Sequence, residues 1–178
     1  MPGEPRPDGR VTVAVITRDR PVALLHTLDE LAALPERPPV IVVDNGTDSV
    51  PPRHPARPRV LRPGRNTGAL GRNLAARHAT TPYVAFYDDD SWWTPGALRH
   101  AADLLDAHPR LGLLAARTLV GPEAAEDPMN APPGRLPAAR GGRPAGPPGA
   151  GLPGLCVRGA PGGVPRDRRL PPAAVLRR

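Results

Sequence analysis

Three short apolar runs, at residues 11–16 (VTVAVI), 40–43 (VIVV) and 83–87 (YVAFY), constrain this chain more than any other feature of it. They are rich in β-branched and aromatic residues and are almost wholly apolar, without the polar alternation of a strand that keeps one face in water. Each is therefore expected to be a strand buried on both faces. The segments between them have helical period. Pro21 suits a first helical position, and Leu24, Leu28 and Leu31 recur at i, i+4 and i+7, a stripe that ends near Leu34 and Pro35. Residues 68–78 carry Leu70 and Leu74 on one helical face. Thr94 and Pro95 read as the N-cap and first residue of a helix reaching about Ala107, with Leu98, Ala102 and Leu105 inward. Val60 and Leu61 suggest a short third strand after a Pro- and Arg-rich loop at 48–59, and a last strand is expected within residues 111–120. Strands alternating with helices predict an α/β domain with a mostly parallel sheet.

Composition limits where that domain can lie. Residues 131–178 contain eleven Pro, ten Gly, nine Arg and eight Ala and no aromatic residue, which leaves almost nothing from which to build a core. The net charge of +7 also belongs to this segment: it holds nine Arg against the single Asp167, while residues 1–130 hold fifteen Arg against sixteen acids. A basic stretch raises the prospect of an anionic partner, but the part expected to fold is near neutral, so no specific nucleic-acid partner is expected. Every basic residue is Arg and none is Lys. Together with the Pro/Gly/Arg/Ala bias, this is the mark of very GC-rich coding DNA, and a shifted reading frame or truncation after a genuine domain is one reading of the tail. The expected organisation is a disordered 1–10, a folded 11–122, and a low-complexity, disordered Pro/Gly/Arg/Ala-rich tail at 123–178. Cys156 is the sole cysteine, so no intrachain disulfide is available. No apolar run reaches the roughly 18 residues of a membrane span, and the polar, Pro-rich N-terminus lacks a signal-peptide core. Cytoplasm is the expected location.

Two acidic groups mark the chemistry. Asp44 closes the second apolar run, and Asp88, Asp89 and Asp90 follow the third. In open α/β sheets ligands bind beyond the carboxyl ends of the strands, so both groups are expected on one rim. Three adjacent carboxylates repel one another, and a hard divalent cation, Mg²⁺ or Mn²⁺, would relieve that repulsion through oxygen ligands. Alternation along an extended chain would aim Asp88 and Asp90 to one side and Asp89 to the other. A plain solvated turn after a strand is the competing reading. Trp92 and Trp93 fit core or lid packing better than a sugar-stacking platform. His26, His54, His78, His100 and His108 show no metal-ligand spacing and read as surface or helix-face residues.

Four blocks in order, VTVAVITRDRP, VIVVDNGT, NTGALGRN and YVAFYDDDSWWTPGAL, give the chain over residues 11–120 a resemblance to family 2 glycosyltransferases of the GT-A fold. The resemblance implies a three-layer α/β/α architecture and transfer of a sugar from a nucleoside-diphosphate sugar to an acceptor hydroxyl, metal-dependent and inverting. Carried over by position, it implies that Thr17 lies near the base and that Asp44 contacts base or ribose. Asp88 and Asp90 would form the D-x-D element that places metal and diphosphate, with Asp89 assisting. Asn66, Gly68, Arg72 and Asn73 match the family's N-x-G-x-x-x-R-N block beside the nucleotide. In such enzymes a carboxylate from the second half of the domain serves as general base. That half has no counterpart here, and Glu123, Glu126 and Asp127 read as loop charges.

A dinucleotide-dependent oxidoreductase needs a glycine-rich first turn, which residues 16–21 lack. A nucleotidyltransferase would also normally show a glycine-rich loop after the first strand. The alternative from another class is a fragment that binds the nucleotide-sugar without turning it over.

Overall fold

The computed structural model describes residues 7–46 and 54–116, together with the strands Leu119–Val120, Ala125–Glu126 and Leu155–Arg158. Of the terminus expected to be disordered at 1–10, residues 1–6 lie outside the described residues, as does most of the tail, whereas 7–10 are tied to the fold by Asp8 N donating to the Glu36 carbonyl and Tyr83 N to the Arg10 carbonyl. Strand β1 (Val11–Thr17) leads into helix α1 (Pro21–Ala33), and β2 (Val40–Asp44) is followed by β3 (Arg59–Leu61). A 3₁₀ turn at Gly68–Leu70 opens α2 (Gly71–His78), then come β4 (Tyr83–Asp88) and α3 (Ala97–Ala107). Beyond them lie β5 (Leu113–Ala115), β6 (Leu119–Val120), β7 (Ala125–Glu126) and β8 (Leu155–Arg158). The main sheet runs β3-β2-β1-β4-β8-β5, with β6 and β7 paired separately. The β3-β2-β1-β4 half is parallel throughout, and β8 lies antiparallel to both its neighbours.

The strictly alternating pleat explains why the three apolar runs carry so little polarity: each face of the sheet has its own cover. Val11, Val13, Val15, Val40, Val42, Tyr83, Ala85 and Tyr87 pack under Leu24, Leu28 and Leu31 of α1 and under Leu98, Ala102 and Leu105 of α3. Ala14, Ile41, Val43, Val84 and Phe86 face the other way, onto Ala75 and Ala76 of α2. The result is the expected three-layer α/β/α fold with a mostly parallel sheet. Leu24 and Leu28 are fully buried, and each such leucine contributes about 2 kcal/mol through burial.

Three expectations change in detail. Helix α3 begins at Ala97, not at Pro95, because Gly96 at φ +87° turns the chain left-handed immediately before it and no side chain caps the end. Leu70 sits in the 3₁₀ turn and is 63% exposed, so the inner face of this segment is made by Gly71, Ala75 and Ala76, with the expected Leu74 packed half-buried beside them. Small residues are needed there, since a Cβ on Gly71 would lie 3.2 Å from the Val43 side chain and 3.4 Å from that of Ile16. Third, Leu155–Arg158, inside the segment expected to stay out of the fold, fills the gap between β4 and β5. Its run of Leu, Cys and Val is a β-prone stretch free of Pro and Gly, and it gives β5 its partner in the main sheet. Among the described residues, no helix is long and apolar enough to cross a membrane.

Candidate functional site

Strand register builds the rim. Thr17 pairs with Asp44 across β1 and β2, and Ile16 pairs with Asp88 across β1 and β4, so three strands end level. Thr17 and Asp44 follow the α1 side of the pleat, and Asp88 follows the α2 side. Thr17, Asp44 and Asp89 are all at most 3% exposed.

Each carboxylate of the acidic run has a defined partner. Arg72, in the first turn of α2, donates to Asp88 Oδ1 at 2.5 Å. Asp89 turns to the α1 side, where its Oδ2 accepts from Thr17 Oγ1 at 2.7 Å and its Oδ1 from Arg20 Nη1 at 2.8 Å. The Asp89 carbonyl accepts from Thr27 of α1 at 3.0 Å. The same Arg20 nitrogen donates to Asp90 Oδ2 at 3.2 Å. The expected pairing of Asp88 with Asp90 against Asp89 is thus replaced: Asp89 and Asp90 converge on Arg20, while Asp88 faces Arg72. Extended geometry stops at Asp88, and Asp89 and Asp90 form a turn. Side-chain alternation does not survive a turn. The carboxylates hold the Arg20 guanidinium above its ordinary pKa, chiefly through the charge of Asp89 and then through Asp90.

Mutual repulsion within the run is therefore met by two arginines of the chain itself. Arg20 is not among the sequence candidates; the only signal for it is its place in the turn after β1, opposite the acidic strand end.

The remaining candidates assemble around Asn45, which the sequence marks only as a turn former. Its Oδ1 accepts from Thr67 N at 3.0 Å and from Thr67 Oγ1 at 2.7 Å, and its Nδ2 donates to the Gly68 carbonyl at 3.4 Å. Asn66 Oδ1 accepts from Gly68 N at 2.9 Å. Gly68 adopts φ +51°, where a side chain would strain the backbone. The Asn66 to Gly68 segment is thereby pinned to the end of β2. Asp44 accepts from Gly46 N at 3.0 Å and from Arg62 Nε at 3.4 Å. Gly46 packs so closely on the turn after β1 that an added Cβ would lie 2.2 Å from Asp19 Oδ1.

The two tryptophans part company. Trp93 packs on Tyr87 with ring centroids 5.7 Å apart, and burial pushes the Tyr87 phenol pKa well up. Trp92 is half exposed and stacks on His26 at 5.2 Å. His54 meets Asp29 at 3.1 Å and His78 meets the Leu74 carbonyl at 2.9 Å, so both are tied to local structure.

Among the described residues, no three His, Cys, Asp or Glu side chains are grouped to hold a metal ion by themselves. The donor chemistry nevertheless suits Mg²⁺ or Mn²⁺: such ions are commonly bound by one or two carboxylates, with phosphate oxygens and water completing the shell. The residues fit a cation shared with a diphosphate, not one caged by protein alone.

Comparison with known proteins bears on this geometry. The structure is similar to a mannosyltransferase, PcManGT from Pyrobaculum calidifontis, in complex with GDP-Man and Mn²⁺. The TM-score is 0.55 at 28% identity, over 65% of this chain and 37% of the other. TarS from S. aureus aligns at 26% identity with a TM-score of 0.49, over 56% of this chain and 33% of TarS. A CMP:2-keto-3-deoxy-manno-octonic acid synthetase in complex with CTP shares the fold at 10% identity and a TM-score of 0.50, over 84% of this chain and 74% of the synthetase. The chain spans about a third of the length of PcManGT and of TarS. No curated protein matches it. The model of glycosyl transferase family 2 matches residues 12–148, more than half of the sequence, and the chain belongs to that family.

Proposed function

We propose that residues 11–122 are the nucleotide-sugar-binding portion of a metal-dependent, inverting glycosyltransferase that moves a sugar from a nucleoside-diphosphate sugar to an acceptor hydroxyl in the cytoplasm. The observation that carries this reading is the register that brings Thr17, Asp44 and Asp88 level at the carboxyl ends of β1, β2 and β4. Family membership supports it, as does the GDP-Man and Mn²⁺ complex of the similar mannosyltransferase.

In this reading Thr17 and Asp44 face the nucleoside, with Asn66 and Gly68 bordering it. The bonds of Asn45 to Thr67 and Gly68, and of Gly68 N to Asn66, hold this segment in shape before ligand arrives, which lowers the ordering cost of binding. Arg72 sits where it can pass from Asp88 to a phosphate oxygen, a contact suited to its planar fork. Asp88 and Asp90, which here face Arg72 and Arg20, would hold Mg²⁺ or Mn²⁺ once those arginines turn to the diphosphate, with Asp89 behind them. The bound ion supplies Lewis-acid stabilisation of the charge developing on the leaving diphosphate. Asp89 acts differently from its neighbours. Buried and bonded to Thr17 and Arg20, it fixes the turn that presents Asp88 and Asp90. The general base for the acceptor hydroxyl is not assigned to any described residue.

Thermal unfolding of the whole chain with Mn²⁺, with GDP or UDP, and with both together tests the binding step. The midpoint should rise markedly only when cation and nucleotide are both present. A ligand at a hundred times its Kd stabilises by about 2.7 kcal/mol when it binds only the native state. Asp88→Asn should remove the effect. No shift with any nucleotide and cation would sink the proposal, and a shift without sugar transfer from any nucleotide-sugar would reduce it to binding alone.

A further inference from the structure

The acidic run already contains a cation, and it belongs to the protein. Arg20 Nη1 reaches both Asp89 and Asp90, at 2.8 Å and 3.2 Å, from the turn between β1 and α1. The two contacts are unequal in kind. Asp89 is 3% exposed and is held a second time by Thr17 and by the bond from Thr27 to its carbonyl, so its place is set by the fold. The Arg20 to Asp90 contact is longer and more open to solvent. The Arg20 side chain itself is 42% exposed, which leaves its outer edge accessible to an incoming anion. Arg20 holds only Oδ2 of Asp90, but its positive charge beside that carboxylate opposes a divalent ion at either oxygen.

We propose that Arg20 is a built-in counter-ion that competes with the divalent cation for Asp90, and yields only when a diphosphate offers its guanidinium a replacement partner. The inference rests on the metal-dependent reading above. It makes metal and nucleotide binding mutually dependent: the cation alone is held weakly, and the diphosphate strengthens it by drawing Arg20 outward. Linkage requires the reverse effect to be equal in size. A premature metal is thereby disfavoured, and the three carboxylates remain compensated while no ligand is bound.

The test is Mn²⁺ binding to the full chain, followed by the electron paramagnetic resonance signal of free Mn²⁺, without nucleotide and then with GDP or UDP. Arg20→Gln, which keeps a hydrogen-bond donor and removes the charge, is expected to bind Mn²⁺ alone about tenfold more tightly than the wild type, the scale on which one nearby charge perturbs a carboxylate site. The nucleotide should then tighten Mn²⁺ binding less in Arg20→Gln than in the wild type. Equal affinity in Arg20→Gln and wild type, with native circular dichroism, overturns the role of Arg20 and leaves the metal-dependent reading intact. Failure of either protein to bind Mn²⁺, even with nucleotide, overturns both. Should Arg20→Gln lose its native spectrum, Arg20→Lys decides. Its ammonium is a point charge without the fork and contests the carboxylates less well, so it must bind Mn²⁺ more tightly than the wild type, and parity overturns the inference.

Discussion

Two arginine–aspartate clusters sit at opposite ends of the same strands, and they differ in what the fold asks of them. At the amino end, Arg10 serves three carboxylates, Asp8 at 2.6 Å, Asp103 at 2.7 Å and Asp106 at 2.6 Å, and Arg99 approaches Asp8 at 3.9 Å. Asp103 and Asp106 are more than half exposed and lie on α3, so this cluster ties the outer edge of a helix to the start of β1. Tyr83 adds a hydrogen bond to Asp106. At the carboxyl end, three consecutive aspartates are shared between Arg20 and Arg72, and the central one is buried. Ligands of α/β sheets bind at that second end. The same chemistry serves as surface attachment at one end and as a presented anionic site at the other; burial and strand polarity make the distinction.

The two ends should respond unequally to mutation. The largest effect is expected at the carboxyl end. Asp89→Ala leaves the buried Thr17 hydroxyl without its acceptor and Arg20 with Asp90 alone, and should lower stability by about 2 kcal/mol, the scale for leaving a buried polar group unsatisfied, as read from urea unfolding. At the amino end, Arg10→Ala should lower stability by about 1 kcal/mol, since two of its three partners, Asp103 and Asp106, are largely solvated and screened. That end also carries the acid response. Asp8 is held below its ordinary carboxylate pKa, first by the Arg10 side-chain hydrogen bond. A carboxyl whose folded pKa is depressed contributes stability that is fully present above its unfolded pKa, near 3.8, and is lost as pH falls through the lower folded value. Unfolding of the wild type below about pH 4 should therefore steepen with acid, and Arg10→Ala should flatten that slope. The smallest effect is expected for Asp103→Asn, within about 0.5 kcal/mol and with no change in Mn²⁺ or nucleotide binding. A loss of binding there would show that the two ends communicate.

Much of the core is legible in the sequence because burial on two faces leaves a local mark. The runs VTVAVI, VIVV and YVAFY have no polar face, and the Leu24, Leu28 and Leu31 stripe has helical period, so their partners can be inferred without coordinates. The start of α3 departs from expectation because Thr94 and Pro95 fit an N-terminus by local chemistry, whereas the left-handed Gly96 decides where the helix begins. Strand β8 is invisible in the sequence for a related reason: four β-prone residues in a Pro- and Gly-rich segment carry little weight until β4 and β5 offer them backbone partners.

The site divides along the same line. That Asp44 and Asp88 end buried strands is written in the apolar runs themselves, whereas Asn66, Gly68 and Arg72 are marked as one block only by the resemblance to the family. Arg20 and Asn45 have no local signature; each matters through a partner more than twenty residues away. The three buried strands, the stripe of Leu24, Leu28 and Leu31 and the candidate acids follow from periodicity and residue type over a few positions. Which arginine faces which aspartate is a property of the folded chain. The turn at Asp89 ends the alternation on which the sequence expectation rests, and long-range packing chooses the side to which each carboxylate is drawn.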